Sequence, residues 1–215
     1  MKYRTICFDY DGTLHDSMQI YFPAFVRAYD YLVEHGYQPK KVWTKEEVKR
    51  FLGQNPMEMW GSFTPKIPLE VITVISKIVG ESMSEAIANH QAVLYEGALS
   101  TLETLKKKGY QLIYLSNSKI YYMEMSKNEF HLDQYFDRFV VSEMYGYIPK
   151  KDILKAIRPQ LKEPILMVGD RIHDMESGHA NGIDTVACTY GYGKKEEFID
   201  ATYHINDIRD ILQLL

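Results

Sequence analysis

The sequence predicts an α/β fold: a mostly parallel sheet with helices on both faces, carrying an inserted all-helical domain. Three observations point there. Short apolar runs alternate with helical stretches, the runs end in polar or acidic residues, and one long early segment breaks the alternation because it holds no strand pattern.

The apolar runs are Thr5–Phe8, Gln111–Leu115, Arg138–Val141, Ile165–Val168 and Thr185–Cys188. Continuous rather than alternating apolar character suits strands buried on both faces. Ser100–Lys108 reads as a helix stopped by Gly109, Met175–Ala180 as one closed by Asn181-Gly182, and Asp207–Leu215 as a last helix. In the early segment, Met18–His35 is a long amphipathic pattern ending at Gly36. Thr44-x-x-Glu47 is a capping-box signature opening a helix to Leu52. Asn55-Pro56 reads as an N-cap followed by proline at the first helical position. Leu69–Val79 and Ser82–Tyr95 supply two more helices. The predicted organisation is a sheet domain over residues 1–15 and 94–215, with a helical domain over 16–93 between its first two strands.

At 215 residues, with 46% hydrophobic and 25% charged, the chain has ample material for a core. A formal charge of −4 argues against a nucleic-acid binder, which would carry a basic face, but a few local cations suffice for one small anion. Cys7 and Cys188 sit in apolar runs and read as buried core thiols. A strand-like run from Tyr3 leaves no room for a signal peptide, and no apolar stretch reaches the ~20 residues of a membrane span. A cytoplasmic protein is expected, without nucleic-acid or membrane partners.

Four clusters carry chemistry. Phe8-Asp9-Tyr10-Asp11-Gly12-Thr13-Leu14 follows the first strand, and in extended backbone residues two apart point the same way, so Asp9 and Asp11 can face one cleft. Ser116-Asn117 follows the second strand, where a hydroxyl can donate to a phosphoryl oxygen. Pro149-Lys150-Lys151 precedes a helix over Ile153–Ile157 and offers a compact cation for phosphate charge. Gly169-Asp170 ends the Ile165–Val168 run, with Asp174 four residues on; oxygen ligands of this kind suit Mg²⁺. An open α/β sheet gathers its strand ends at one crevice, so these groups should converge. His173 is the one histidine expected near the site, and Tyr121-Tyr122 and Tyr190 read as packing or surface residues.

With these residues the sequence resembles the haloacid dehalogenase-like hydrolase superfamily, in its phosphoglycolate phosphatase-like branch. The motifs are Asp9-x-Asp11-Gly12-Thr13-Leu14, Ser116-Asn117, Lys150 or Lys151, and Gly169-Asp170-x-x-x-Asp174; Asp16-Ser17, Tyr95-Glu96-Gly97 and Gly191-Tyr192-Gly193 extend the likeness. The resemblance implies a Rossmann-like core with Asp9's strand central and a helical cap inserted after the first motif. It implies a Mg²⁺-dependent phosphatase acting on a small phosphorylated metabolite through an aspartyl-phosphate on Asp9, as monomer or homodimer. Asp11 is then the general acid and base. Ser116, Asn117 and a lysine bind the phosphoryl group, with Lys150 favoured over Lys151 by its spacing to Ile153-Leu154. Asp9, the Asp11 backbone carbonyl, Asp170 and Asp174 hold the metal. Cap residues Arg50, Gln54 and Asn55 read the leaving group. A phosphomutase of the same fold, similar to β-phosphoglucomutase, is the main alternative. A haloacid dehalogenase and a non-enzymatic binding module stand further off.

Overall fold

The computed structural model describes residues 2–54 and 56–215. Two compact units divide the chain: the segment ending at Asp16 together with Val93–Leu215, and Ser17–Ala92.

The first unit is built on a six-stranded sheet: β1 (Thr5–Phe8), β2 (Gln111–Ser116), β3 (Arg138–Val141), β4 (Ile165–Gly169), β5 (Asp184–Cys188) and β6 (Tyr203–Ile205). Its order is β3-β2-β1-β4-β5-β6, and every pairing is parallel. All four residues of β1 are buried, as the uninterrupted apolar run requires of a central strand covered on both faces. The chain builds outward from β1 to β3, then crosses back to β4 on the other side. That reversal puts a crevice beyond the carboxyl ends of β1 and β4. Helices α5 (Ala98–Lys107), α6 (Ile120–Phe130), α7 (Lys150–Ile157), α8 (Ile172–Asn181) and α9 (Ile211–Leu214) belong to this unit, and the four earlier helices to the other.

Five strands match the apolar runs; β6 and α6 were not expected. β6 is only three residues long, and α6 buries just Tyr122, Met123 and Ser126, too narrow a stripe to read as a period. The C-terminal segment is a short 3-10 turn over Ile208–Asp210 continued by α9, with the Asp207 side chain accepting from Arg209 N–H (2.8 Å) as its cap.

The helical unit holds α1 (Met18–Glu34), α2 (Lys45–Lys49), α3 (Pro56–Gly61) and α4 (Leu69–Ala88). The capping box at Thr44 and Glu47 is formed, but α2 stops at Lys49 rather than Leu52, which lets Phe51 and Leu52 turn into the core. The two helices expected from Leu69 to Tyr95 are one, α4, ending at Ala88. An interior glycine such as Gly80 weakens a helix by about 1 kcal/mol relative to alanine, too little to break one whose Val71, Ile72 and Ile75 are buried. Phe25 of α1 centres the unit's core, stacked on Trp60 (5.2 Å, 5°) and Phe51 (5.6 Å), with Trp43 edge-on (5.1 Å). Asn55 lies outside the described residues. Among the described residues no helix is long and apolar enough to cross a membrane, and Cys7 and Cys188 are free and buried.

Candidate functional site

Asp9 leaves the end of β1 with its backbone N–H still bonded to Val168 O of β4 (2.9 Å), so it sits directly at the crevice. The turn that follows is tight, because Thr13, Leu14 and His15 all donate to Tyr10 O. Gly12 sits at φ +85°, and a Cβ there would overlap the Asp170 carboxylate; only glycine satisfies both demands. On the other side of the crevice β4 ends at Gly169, Asp170 follows, and α8 begins two residues later. The first turn of α8 carries Asp174, whose Oδ2 accepts from Arg171 N–H (3.0 Å).

Ligand oxygens of Asp9, Asp170 and Asp174 lie within 4.8 Å of one another, and all three residues are buried. α7 begins earlier than the expected Ile153, at Lys150, and this sends the Lys150 side chain inward. Lys150 Nζ donates to Asp9 Oδ1 and to Asp174 Oδ1, both at 2.6 Å, while Lys151 is exposed. Tyr192 N–H donates to Asp170 Oδ2 (2.6 Å), whereas Asp170 Oδ1 is buried without a partner.

The electrostatics follow from this packing. Burial pushes the Asp9 carboxyl up to about 7, aided by the charge of Asp174, while Lys150 pulls the other way. Asp170 is raised well above the ordinary carboxylate range by burial and by the charges of Asp9 and Asp174, against the opposing Tyr192 N–H. For Lys150, burial favours the neutral amine, but Asp174 and Asp9 outweigh it and hold the ammonium above its ordinary value. Three carboxylates and one ammonium carry a net charge of −2 when ionised, in a place that water does not screen. Two protons or one divalent cation would neutralise it. The hard oxygen donors and the orphaned Asp170 Oδ1 fit a cation such as Mg²⁺.

The remaining expected residues fall in three places. Ser116 ends β2 beside β1, is buried, and among the described residues shows no side-chain hydrogen bond; Asn117, one residue on, is exposed. Asp11 is close enough for its charge to raise Asp9, yet its carboxylate is held elsewhere, by Tyr122 Oη (2.7 Å) and His15 Nδ1 (3.1 Å). Arg50 and Gln54 are exposed in the helical unit, Arg50 over the Phe51 ring (4.7 Å) and Gln54 donating to Arg50 O (2.9 Å). The histidine expectation is corrected. His173 is half exposed and lies 3.9 Å from Glu176, whereas His15 is wholly buried against Asp11. Tyr122 is likewise not mere packing. The four-residue step from Asp11 to His15 was the only signal for the first; none marked Tyr122, which lies 111 residues from its partner.

Residues 6–188 match the haloacid dehalogenase-like hydrolase family, and the chain belongs to it. Pyrophosphatase PpaX of Bacillus mycoides is 26% identical across all of this chain and 98% of its own length. Among solved structures, a putative phosphatase from Clostridium difficile superposes with a TM-score of 0.81 at 22% identity, over 100% of this chain and 99% of that one. A predicted phosphoglycolate phosphatase from Haemophilus somnus gives 0.81 at 21%, over 100% and 98%. At those identities the structural likeness is one of fold.

Proposed function

We propose that this chain is a Mg²⁺-dependent phosphatase that cleaves a small phosphate ester through an aspartyl-phosphate on Asp9. The buried cluster of Asp9, Asp170 and Asp174 around Lys150, three carboxyls against one ammonium, is the observation that carries the reading. Mg²⁺ held by Asp9, Asp170, Asp174 and the Asp11 carbonyl supplies positive charge where a phosphate dianion must meet a carboxylate. Lys150 supplies a fixed part of that charge from the protein itself. Ser116 and Asn117 hold the phosphoryl oxygens, aligning phosphorus with Asp9. Asp9 attacks and the ester bond breaks, while Asp11 gives its proton to the leaving oxygen; Asp11 then takes a proton from the water that hydrolyses the intermediate. The helical unit acts as a cap, with Arg50, Gln54 and Asn55 reading the leaving group. Because relatives spanning the whole chain carry the name pyrophosphatase, inorganic pyrophosphate is the first substrate to assay beside a panel of monoesters.

The roles of the two acids separate in one experiment. An activated aryl phosphate departs with little protonation, so Asp11→Asn enzyme with Mg²⁺ still phosphorylates but lacks the base for hydrolysis. It should accumulate a phosphoenzyme, seen as a burst near one equivalent and as added phosphoryl mass on Asp9 seconds after mixing. No added mass, or mass on another residue, overturns the assignment.

A further inference from the structure

Asp11 has to meet a leaving oxygen in one step and a water in the next, so the aim of its carboxylate matters as much as its presence. A carboxylate χ2 is broad and two-fold and does not hold an aim unaided. The Asp11 side chain is 30% exposed, so one face is open while the other is packed. On the packed face, Oδ1 takes two contacts: Tyr122 Oη at 2.7 Å and His15 Nδ1 at 3.1 Å. Tyr122 Oη and His15 Nδ1 are themselves 3.2 Å apart, closing a three-membered polar ring. Among the described residues, Oδ2 accepts no hydrogen bond.

The ring's members cannot easily turn away. His15 has no exposed surface, and its imidazole stacks on Tyr10 (5.0 Å, 18°) with Phe130 of α6 beside it (6.2 Å). Its backbone is tied at both ends, accepting from Gly12 N–H (2.9 Å) and donating to Tyr10 O (2.9 Å). A carboxylate oxygen only accepts, so the hydrogen-bond network assigns the histidine proton to Nδ1. Nε2 is buried without a partner. Tyr122 comes from the first turn of α6, so the clamp joins that helix to the turn after β1.

We propose that Tyr122 and His15 are positioning residues that clamp Asp11 Oδ1 and leave Oδ2 to exchange protons with the leaving group and the water. This rests on the role given to Asp11 above. An O–H and an N–H on one oxygen together fix the carboxyl plane as well as its place, and they strengthen once Asp11 has given up its proton. A misplacement near 1 Å can lower a rate by about 10²-fold, and general acid catalysis as a whole is worth roughly 10²–10⁴. Loss of the clamp should therefore be felt where a proton is needed and not where it is not.

The test measures phosphoenzyme formation and steady-state turnover with Mg²⁺ for an alkyl phosphate and for 4-nitrophenyl phosphate. Tyr122→Phe keeps the ring and removes the hydroxyl. It should slow phosphorylation by the alkyl ester ~10–100-fold, slow the aryl ester less than ~3-fold, and leave KM within ~3-fold. His15→Phe should behave alike, while His15→Asn, which can place an amide N–H near Nδ1, should recover most of the loss. In an Asp11→Asn background Tyr122→Phe should add nothing, since the clamp acts only through that carboxylate. Equal slowing of the phosphorylation step with both esters, additive losses in the Asp11→Asn background, or unchanged phosphorylation by the alkyl ester would each overturn the clamp. If Asp11→Asn itself fails to discriminate between the esters, the assigned role of Asp11 falls instead. If Asp11→Asn discriminates and neither Tyr122→Phe nor His15→Phe does, the clamp alone falls.

Discussion

Asp9→Asn should stabilise the metal-free protein at pH 8, although it removes the proposed nucleophile. Burial lifts the Asp9 carboxyl from 3.8 to about 7. At about 1.4 kcal/mol per tenfold in proton affinity, that is about 4 kcal/mol against ionising it in the folded state. Between pH 4 and 7 the folded chain keeps a proton that the unfolded chain has released. Stability therefore falls as pH rises through that window and stays lowered above it. Asparagine has the shape of the protonated acid and cannot ionise, so the variant should exceed the parent by about 4 kcal/mol at pH 8 and by about 2 at pH 5. At roughly 2–4 °C per kcal/mol for a chain of this size, the melting temperature at pH 8 should rise by about 10 °C. Mg²⁺ should close most of that gap. A cation at a hundred times its Kd adds about 3 kcal/mol to a protein that binds it, and the variant, with one carboxylate fewer, should gain much less. Thermal melts at pH 5 and 8, in chelator and in Mg²⁺, read all four values. A variant less stable than the parent in chelator at pH 8, or one with an undiminished Mg²⁺ response, would refute the account of the cluster.

Other outcomes are equally concrete. Activity should vanish in chelator and return with Mg²⁺, and Asp170→Ala should raise the Mg²⁺ concentration needed for half-maximal rate at least tenfold, by analogy with the roughly 10–100-fold losses from disturbing metal surroundings; a titration of rate against Mg²⁺ checks it. Gly12→Ala should abolish activity and Mg²⁺-dependent stabilisation together, since its φ of +85° and the Asp170 carboxylate both reject a Cβ; melts with and without Mg²⁺ decide it. Phe25→Ala should destabilise the helical unit by about 3–5 kcal/mol by emptying a space among Trp60, Phe51 and Trp43, read by urea unfolding followed through tryptophan fluorescence. Arg50→Ala with Gln54→Ala should reorder natural substrates by kcat/KM while sparing 4-nitrophenyl phosphate; a uniform loss would point to folding instead.

The sheet was legible in the sequence where burial imposed a local pattern. β1, β2, β4 and β5 are buried along nearly their whole length, and β3 in its second half, so they read as apolar runs, and the acids following β1 and β4 stand where the crevice had to be. Local chemistry likewise marked the Thr44 capping box, the Gly109 and Gly182 stops, and the resemblance carried by the four motifs. The continuity of α4 through Gly80 was not legible, because packing of one face outweighed a weak local breaker. Only the tertiary structure brings Lys150, and not the exposed Lys151, to the acidic cluster, since an earlier start of α7 turns the first inward to carboxylates 141 and 24 residues away. It alone separated the partners of Asp9 from those of Asp11, two residues on. Strand alternation sets which way a side chain leaves the backbone, but what it meets there comes from distant segments: α7 and α8 for Asp9, α6 and the His15 ring for Asp11. Spacing along the chain encodes direction, and contact between segments a hundred residues apart is settled only when the sheet brings their ends together.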